Sequence, residues 1–195
     1  MVYIKTYNSP PINKGEILRY ARVEQTDSQT EALLDRCIAE AGDILSYKTC
    51  YTRLPSSVDG DAVDLGFTKV NSHSLALCLR ECDEIILFCA TVGVELDRLI
   101  KKYSLISPAT AVILQAFGSE RVESLCDLFC DEMARETGRE LRPRFSPGYG
   151  DLSLDVQRDI FATLCPGKIG AALSDNLFMT PSKTVTAIIG IKKEK

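Results

Sequence analysis

The segment from residue 140 to residue 154 holds the side chains best suited to bind a small molecule. Its central residues are Arg144, Phe145, Ser146, Pro147, Gly148 and Tyr149. The planar guanidinium of Arg144 can grip a carboxylate through two hydrogen bonds. Gly148 lets backbone groups approach a ligand where a Cβ atom would clash, and the ring of Tyr149 can face a base or a cation. Together these groups suit a zwitterionic ligand that carries an aromatic base.

The same segment also has a purely structural interpretation. Its two prolines and the glycines on both sides of Tyr149 exclude a helix or a central strand and predict a stiff, ordered loop. In such a loop Arg144 would form an ordinary salt bridge, and Tyr149 would anchor the packing. The chemistry of the segment alone favours this structural interpretation slightly over a binding site.

Other kinds of site find little support. His73 is the single histidine, which removes most hydrolase triads and metal sites built from several histidines. It stands at the start of a predicted helix, where a polar surface role is expected. No Walker A loop, GxGxxG fingerprint or GxSxG elbow occurs. We therefore predict no catalytic residue.

The eight cysteines are expected to be reduced thiols. Six of them stand beside apolar residues, where a free thiol behaves as a small hydrophobe: Cys37, Cys78, Cys89, Cys126, Cys130 and Cys165. The CxxxC pairs that begin at Cys78 and Cys126 are predicted to lie on helices. An iron–sulfur cluster of the radical S-adenosylmethionine type would need a third cysteine where Ile85 and Met133 stand. Zinc usually takes loop-mounted CxxC pairs, so no metal site is predicted.

Composition indicates an ordinary globular domain. The 195 residues include 45% apolar and 26% charged residues and carry a net charge of −4, and we expect one domain over residues 1–195. Without a cationic excess, binding to nucleic acid is not expected. No apolar run approaches the roughly 20 residues of a membrane helix, and the N-terminus has no signal-peptide core. A cytoplasmic location is expected.

Hydrophobic periodicity predicts both helices and strands, without a regular alternation of the two. The predicted helices cover residues 28–46, 74–82, 95–103, 108–137 and 154–164. The first is expected to begin with a capping box formed by Ser28 and Glu31, and the long one with Ser107 as its cap and Pro108 in its first position. The predicted strands cover residues 47–54, 62–67, 84–92 and 184–191. The continuous apolar run of 84–92 indicates a strand that is covered on both faces. The spacing is not that of a regular βαβ repeat, so the expected fold is α/β (α+β), with helices packed on a mixed, partly antiparallel sheet. Gly118 is expected to kink or split the long helix.

The order of three features resembles the S-adenosylmethionine-binding activation domain of cobalamin-dependent methionine synthase. The RxxxGY pattern of Arg144 to Tyr149 follows a long acidic helix. On that helix, Glu123 stands where the family carries a ligand-facing glutamate. Met179-Thr180-Pro181 resembles the family's Met-x-Pro turn before the last strand. The resemblance covers residues 107–191.

The resemblance implies a ligand and a role for each residue of the pattern. Arg144 would bind the methionine carboxylate of S-adenosylmethionine, and Gly148 with its neighbours Ser146 and Pro147 would offer backbone contacts. Tyr149 would shape the pocket. Glu123 would face the positive sulfonium, and opposite charges about 4 Å apart attract by about 4 kcal/mol at an effective dielectric constant near 20.

The function that the resemblance implies is reductive reactivation. When the cobalamin of the synthase is oxidised to cob(II)alamin, an electron donor reduces it and S-adenosylmethionine remethylates it. The chain has no counterpart of the cobalamin-binding or substrate domains, so we expect it to act on a separate cobalamin-dependent methionine synthase or another corrinoid protein. It would be a component of that methyltransferase rather than a complete enzyme. The alternative is a noncatalytic adaptor that docks on a corrinoid methyltransferase without binding S-adenosylmethionine.

Overall fold

Six α-helices and nine β-strands form the fold in this computed structural model, which describes residues 1–194. The helices are α1 (Lys14–Tyr20), α2 (Ser28–Ala41), α3 (His73–Leu79), α4 (Glu95–Ile106), α5 (Pro108–Thr137) and α6 (Val156–Leu164). The strands are β1 (Tyr3–Tyr7), β2 (Tyr47–Pro55), β3 (Ser57–Asp59), β4 (Ala62–Asp64), β5 (Lys69–Asn71), β6 (Cys82–Thr91), β7 (Ala172–Leu173), β8 (Met179–Thr180) and β9 (Thr184–Lys192). The predicted α+β class is confirmed.

Strands β1, β2, β6 and β9 form the main sheet in that order, and each neighbouring pair is antiparallel. Strand β6 lies in the interior, with Cys50 opposite Cys89 on one side and Ile188 opposite Leu87 on the other. The expected antiparallel pairing is confirmed. Since no parallel pair occurs among the described strands, the sheet is not mixed. Two smaller antiparallel sheets are built from β3, β4 and β5 and from β7 and β8.

Both faces of the main sheet are buried, and the side chains of β6 alternate between two cores. Ile86 and Phe88 pack in the core shared with α5, whereas Ile85 and Leu87 pack in the core shared with α3 and α6. All four side chains are fully buried. This arrangement confirms the prediction of a strand covered on both faces, since a period of two sends successive side chains to opposite faces.

Helix α5 begins and ends where the sequence predicts. Pro108 occupies its first turn, and Gly138 ends it with a left-handed φ of +63° that favours glycine. Ser107 holds the N-cap position, but its hydroxyl pairs with Thr110 Oγ1 at 2.8 Å and not with a backbone N–H of the first turn.

The expectation that Gly118 would split this helix is wrong. The helix runs without interruption from Pro108 to Thr137, and Gly118 is buried within it. A Cβ atom at Gly118 would lie 2.4 Å from Leu96 Cδ2 and 2.9 Å from Lys183 Cγ. The absence of a side chain at Gly118 therefore lets Leu96 of α4 and Lys183 pack closely against α5.

Other boundaries differ for local reasons. Helix α2 is shorter than the predicted 28–46, because it ends at Ala41 and passes into a 3-10 turn. Its N-cap is Asp27, whose carboxylate accepts from the Thr30 N–H at 2.8 Å, so the Ser28 capping box is wrong. Cys82 begins β6 and does not end α3, so Cys78 and Cys82 are not a pair on one helix.

Several elements were not predicted or lie elsewhere. Strand β1 and helix α1 were not predicted. The predicted strand 62–67 ends at Asp64, and it is followed by a further strand, β5, that was not predicted either. Cys165 is exposed, not packed among apolar residues as expected. It ends α6 with a left-handed φ of +49°.

Candidate functional site

The 140–154 segment is an ordered loop that runs beside the free edge of the main sheet. Leu141 and Phe145 form isolated antiparallel bridges to Ile191 and Ile188 of β9. The Phe145 N–H donates to Ile188 O at 2.9 Å, and the Ile188 N–H donates to Phe145 O at 2.8 Å. These bridges hold the backbone on both sides of Arg144, and the segment is neither helix nor central strand, as predicted.

Beyond Phe145 the chain folds into a tight turn around Gly148. The Tyr149 N–H donates to Ser146 O at 3.1 Å, and the Gly148 N–H donates to Leu152 O at 2.9 Å. Gly148 has φ +83°, a left-handed conformation that glycine adopts at little cost. The turn therefore needs glycine at this position for a conformational reason, whether or not a ligand approaches it.

Asp151 ties the end of this turn to the start of α3. Its carboxylate accepts from Ser72 Oγ at 2.6 Å and from the backbone N–H groups of His73 at 2.7 Å and Ser74 at 3.1 Å. The Ser72 hydroxyl and these N–H groups hold the pKa of Asp151 well below its ordinary value. No local sequence pattern predicts this anchor, because the partners are 77 to 79 residues apart in the chain.

Arg144 lies against α5 and is held by two carboxylates. Nη2 donates to Glu123 Oε2 at 2.8 Å and Nη1 to Asp127 Oδ1 at 2.7 Å, and the Arg144 side chain is 25% exposed. Burial alone would lower the pKa of Arg144, but the nearby thiols of Cys126 and Cys130 and the two carboxylates outweigh it and raise the pKa. The guanidinium is therefore a fixed positive charge.

The predicted site residues fall into two groups. Arg144 and Glu123 are brought together by the salt bridge, whereas Tyr149 contacts Phe145, with ring centroids 5.8 Å apart at 85°. Tyr149 is 72% exposed, so it is not the packing anchor of the structural interpretation, although the salt bridge of that interpretation is present. Ser146 and Pro147 are half-buried.

The Met179-Thr180-Pro181 segment forms β8 and the start of the connection to β9. The Gln157 amide joins it to the sheet: Nε2 donates to Met179 Sδ at 2.8 Å, and Oε1 accepts from Thr186 Oγ1 at 2.9 Å. Gln157 is only 2% exposed. Its role is not predicted from the sequence, because one glutamine on an amphipathic helix gives no sign of being buried.

A second missed feature is a buried ion pair on α5. Arg121 and Glu120 are 0% and 3% exposed, and Arg121 donates to Pro10 O and Pro11 O, each at 2.7 Å. These two hydrogen bonds hold the N-terminal segment against α5, about one helical turn before Glu123. Adjacent charged residues on a helix usually face solvent, so the sequence does not predict the burial of this pair. The one local signal of a fixed N-terminal segment is its two consecutive prolines.

A small cavity adjoins the acidic side of α5. It has a volume of about 210 Å³ and includes Glu123 and Asp127 in its lining, together with Asn13, Glu16, Tyr20, Glu120 and Ser124. The carboxylates in it have partners: Arg19 for Glu16, Arg121 for Glu120 and Arg144 for the other two.

Among residues 1–194, no helix is both long and apolar enough to cross a lipid bilayer.

No protein-family model and no curated protein sequence matches this chain. Among solved structures, the fold is similar to a crystal structure of the MetH reactivation domain bound to AdoHcy, with a TM-score of 0.67. The two sequences are 12% identical, and the alignment covers 100% of this chain and 79% of that one. At that identity the likeness is one of fold, and this chain therefore has the fold of the MetH reactivation domain.

Proposed function

We propose that this protein binds S-adenosylmethionine at the 144–149 loop and presents it to a cobalamin carried by a separate methionine synthase or other corrinoid protein. The observation that carries the proposal is the fold likeness over the full chain to a reactivation domain that binds AdoHcy, which is S-adenosylmethionine without its transferable methyl group. The RxxxGY pattern stands on a loop of that fold.

The groups on this loop suit the ligand chemically. Arg144 supplies a permanent positive charge for the carboxylate, and its neighbour Glu123 supplies a negative charge for the sulfonium. Gly148 has no Cβ atom to obstruct a ligand, although its N–H is already bonded to Leu152 O. The Tyr149 ring is open to solvent at 72% exposure, so it can stack on the adenine or pack against the ribose.

Cobalamin would supply the methyl-accepting metal and would be bound by the partner. The task of this chain is then to bind, orient and shield the methyl donor. The exposed aromatic side chains of Tyr149 and of Phe178, which is 75% exposed, are available to a partner that closes over the loop. Aromatic residues are enriched at protein interfaces, which fits such a role.

Titration calorimetry with S-adenosylmethionine tests the proposal. Arg144→Ala removes the carboxylate contact and should weaken binding by about ten- to a hundredfold, since a hydrogen bond to a charged group contributes about 1.5–3 kcal/mol. Arg142→Ala removes the same charge two residues away and is the matched control, which should keep most of the affinity. Absence of binding by the wild-type protein, with or without a corrinoid partner, would overturn the proposal.

One observation favours the second candidate function, a docking adaptor without a nucleotide ligand. Both terminal nitrogens of Arg144 already contact carboxylates, so a ligand carboxylate must compete with Glu123 and Asp127. Capture of a corrinoid protein that is insensitive to added S-adenosylmethionine and to Arg144→Ala would favour the adaptor. Capture that depends on both would favour the methyl-donor role.

A further inference from the structure

Lys183 carries an amine without a carboxylate partner. Among residues 1–194 no carboxylate lies within salt-bridge distance of Nζ, which donates instead to Ser119 Oγ at 3.0 Å. The acidic group whose charge acts on it, Asp97, is engaged by the Ser182 N–H at 2.7 Å and the Ser182 hydroxyl at 2.6 Å. The amine is therefore held by one neutral hydroxyl.

The fold keeps the Lys183 side chain in one place. Its stem crosses α5 at Gly118, where a Cβ atom would lie 2.9 Å from Lys183 Cγ and 3.0 Å from Cε. Its backbone is also fixed, because the Val92 N–H and Thr91 Oγ1 both bond to Lys183 O. A surface lysine without such contacts is mobile. The contacts of the Lys183 stem and backbone instead fix the position of Nζ.

A cavity of about 360 Å³ opens beside this amine. Its lining residues are Tyr20, Val112, Gln115, Ala116, Ser119 and Lys183. Lys183 is the only ionisable amine among them, and no carboxylate or guanidinium contributes to the lining. The volume suits a small molecule, and the uncharged walls favour an uncharged one.

Burial lowers the pKa of Lys183, although the charge of Asp97 opposes the shift. More of the amine is then neutral at neutral pH than for an ordinary lysine, and the neutral form is the nucleophile.

We propose that Lys183 is a nucleophilic amine that condenses reversibly with a small, uncharged aldehyde admitted by this cavity. Nζ adds to the carbonyl carbon to give a carbinolamine. Two protons then pass from nitrogen to the carbonyl oxygen, which leaves as water, so that the amine and the aldehyde give an imine and one water. No oxidant or reductant takes part. This site is separate from Arg144 and does not depend on the proposed binding of S-adenosylmethionine.

Brief treatment of the intact protein with propanal and sodium cyanoborohydride at pH 7 tests the inference, because the hydride reduces each imine to a stable propylamine. Peptide mass mapping then gives the rate at each lysine. Lys183 should be alkylated severalfold faster than Lys101, an exposed lysine on the adjoining helix α4. Alkylation of Lys183 at the same rate as Lys101, or more slowly, would overturn the inference.

A cavity-filling variant separates nucleophilicity from mere exposure. Val112 is 52% exposed, so Val112→Phe should be tolerated by the fold while it fills part of the cavity that Lys183 lines. We expect this change to slow alkylation of Lys183 severalfold and to leave Lys101 unchanged. An unchanged rate at Lys183 would show that propanal does not use the cavity and would also count against the inference.

Discussion

The guanidinium of Arg144 donates to the Glu123 carboxylate across 2.8 Å, from the loop at the sheet edge to the middle of α5. The two residues lie 21 positions apart in the sequence. Their contact sets a positive and a negative charge side by side on one surface, as a zwitterionic ligand requires. Because the two charges already neutralise each other, a ligand must break or rearrange this salt bridge when it binds.

Neutralising Asp127 and neutralising Glu123 should change the affinity for S-adenosylmethionine in opposite directions. Asp127→Asn removes a competitor for Arg144 and should tighten binding of S-adenosylmethionine by up to about fivefold, since an exposed ion pair contributes up to about 1 kcal/mol. Glu123→Gln also frees the guanidinium but removes the charge proposed to face the sulfonium, so it should weaken binding. Calorimetry measures both. If the two variants tighten binding equally, Glu123 does not face the ligand.

Gly118→Ala should destabilise the protein despite the better helix propensity of alanine. The gain of about 1 kcal/mol in an exposed helix is opposed by overpacking of Leu96 and Lys183, which costs about 1–3 kcal/mol. Gly42→Ala is the matched control, because a Cβ atom there meets nothing within 4 Å. Urea denaturation should give a lower midpoint for Gly118→Ala and an unchanged or higher one for Gly42→Ala. A stabilised Gly118→Ala variant would contradict the packing role.

Arg121→Met should be strongly destabilising, because it leaves the Glu120 carboxylate buried without its cation. Breaking a buried pair in this way costs about 3–5 kcal/mol. Two hydrogen bonds to the carbonyl groups of Pro10 and Pro11 are lost as well. The free energy of unfolding, measured in urea, reports the loss.

The double change Arg121→Met with Glu120→Gln serves as the control for charge. A neutral amide at position 120 still accepts from the Asn13 N–H and from Ser124 Oγ, so this variant should recover part of the lost stability. If it is no more stable than Arg121→Met alone, the cost comes from lost packing and not from an unpaired charge.

Asp151→Asn should reveal a stability contribution that depends on pH. The Ser72 hydroxyl and the N–H groups at the start of α3 lower the pKa of Asp151 in the folded protein, whereas an aspartate in an unfolded chain titrates near 3.9. Its contribution is therefore complete above about pH 4 and is lost as the pH falls through the folded pKa.

Urea midpoints of the wild type and Asp151→Asn should consequently differ at pH 7, and the difference should shrink progressively as the pH falls below about pH 4. Asp59→Asn, at an exposed aspartate on β3, gives the effect of removing a surface charge in general. A difference between the wild type and Asp151→Asn that stays constant down to pH 3 would show that the lowered pKa is not the source of the contribution.

Local signals predicted much of the fold. The bounds of α5 follow from Pro108 and Gly138, because proline fits a first helical turn and glycine adopts the left-handed conformation that ends a helix. The burial of β6 on both faces follows from its continuous apolar run. By contrast, the predicted capping box at Ser28 is wrong, because Asp27 offers an equally good acceptor one residue earlier.

The sequence by itself determined which side chains of the 144–149 loop suit the proposed ligand and that the surrounding segment is neither helix nor central strand, since these properties belong to side-chain chemistry and to proline and glycine backbones. Only the tertiary structure decided that Arg144 faces Glu123 and Asp127, that Asp151 anchors the turn and that Lys183 passes over Gly118 beside a cavity. Each of these contacts joins residues that are distant in the chain. The packing of helices and loops against the main sheet brings such groups together, and no local sequence pattern predicts it.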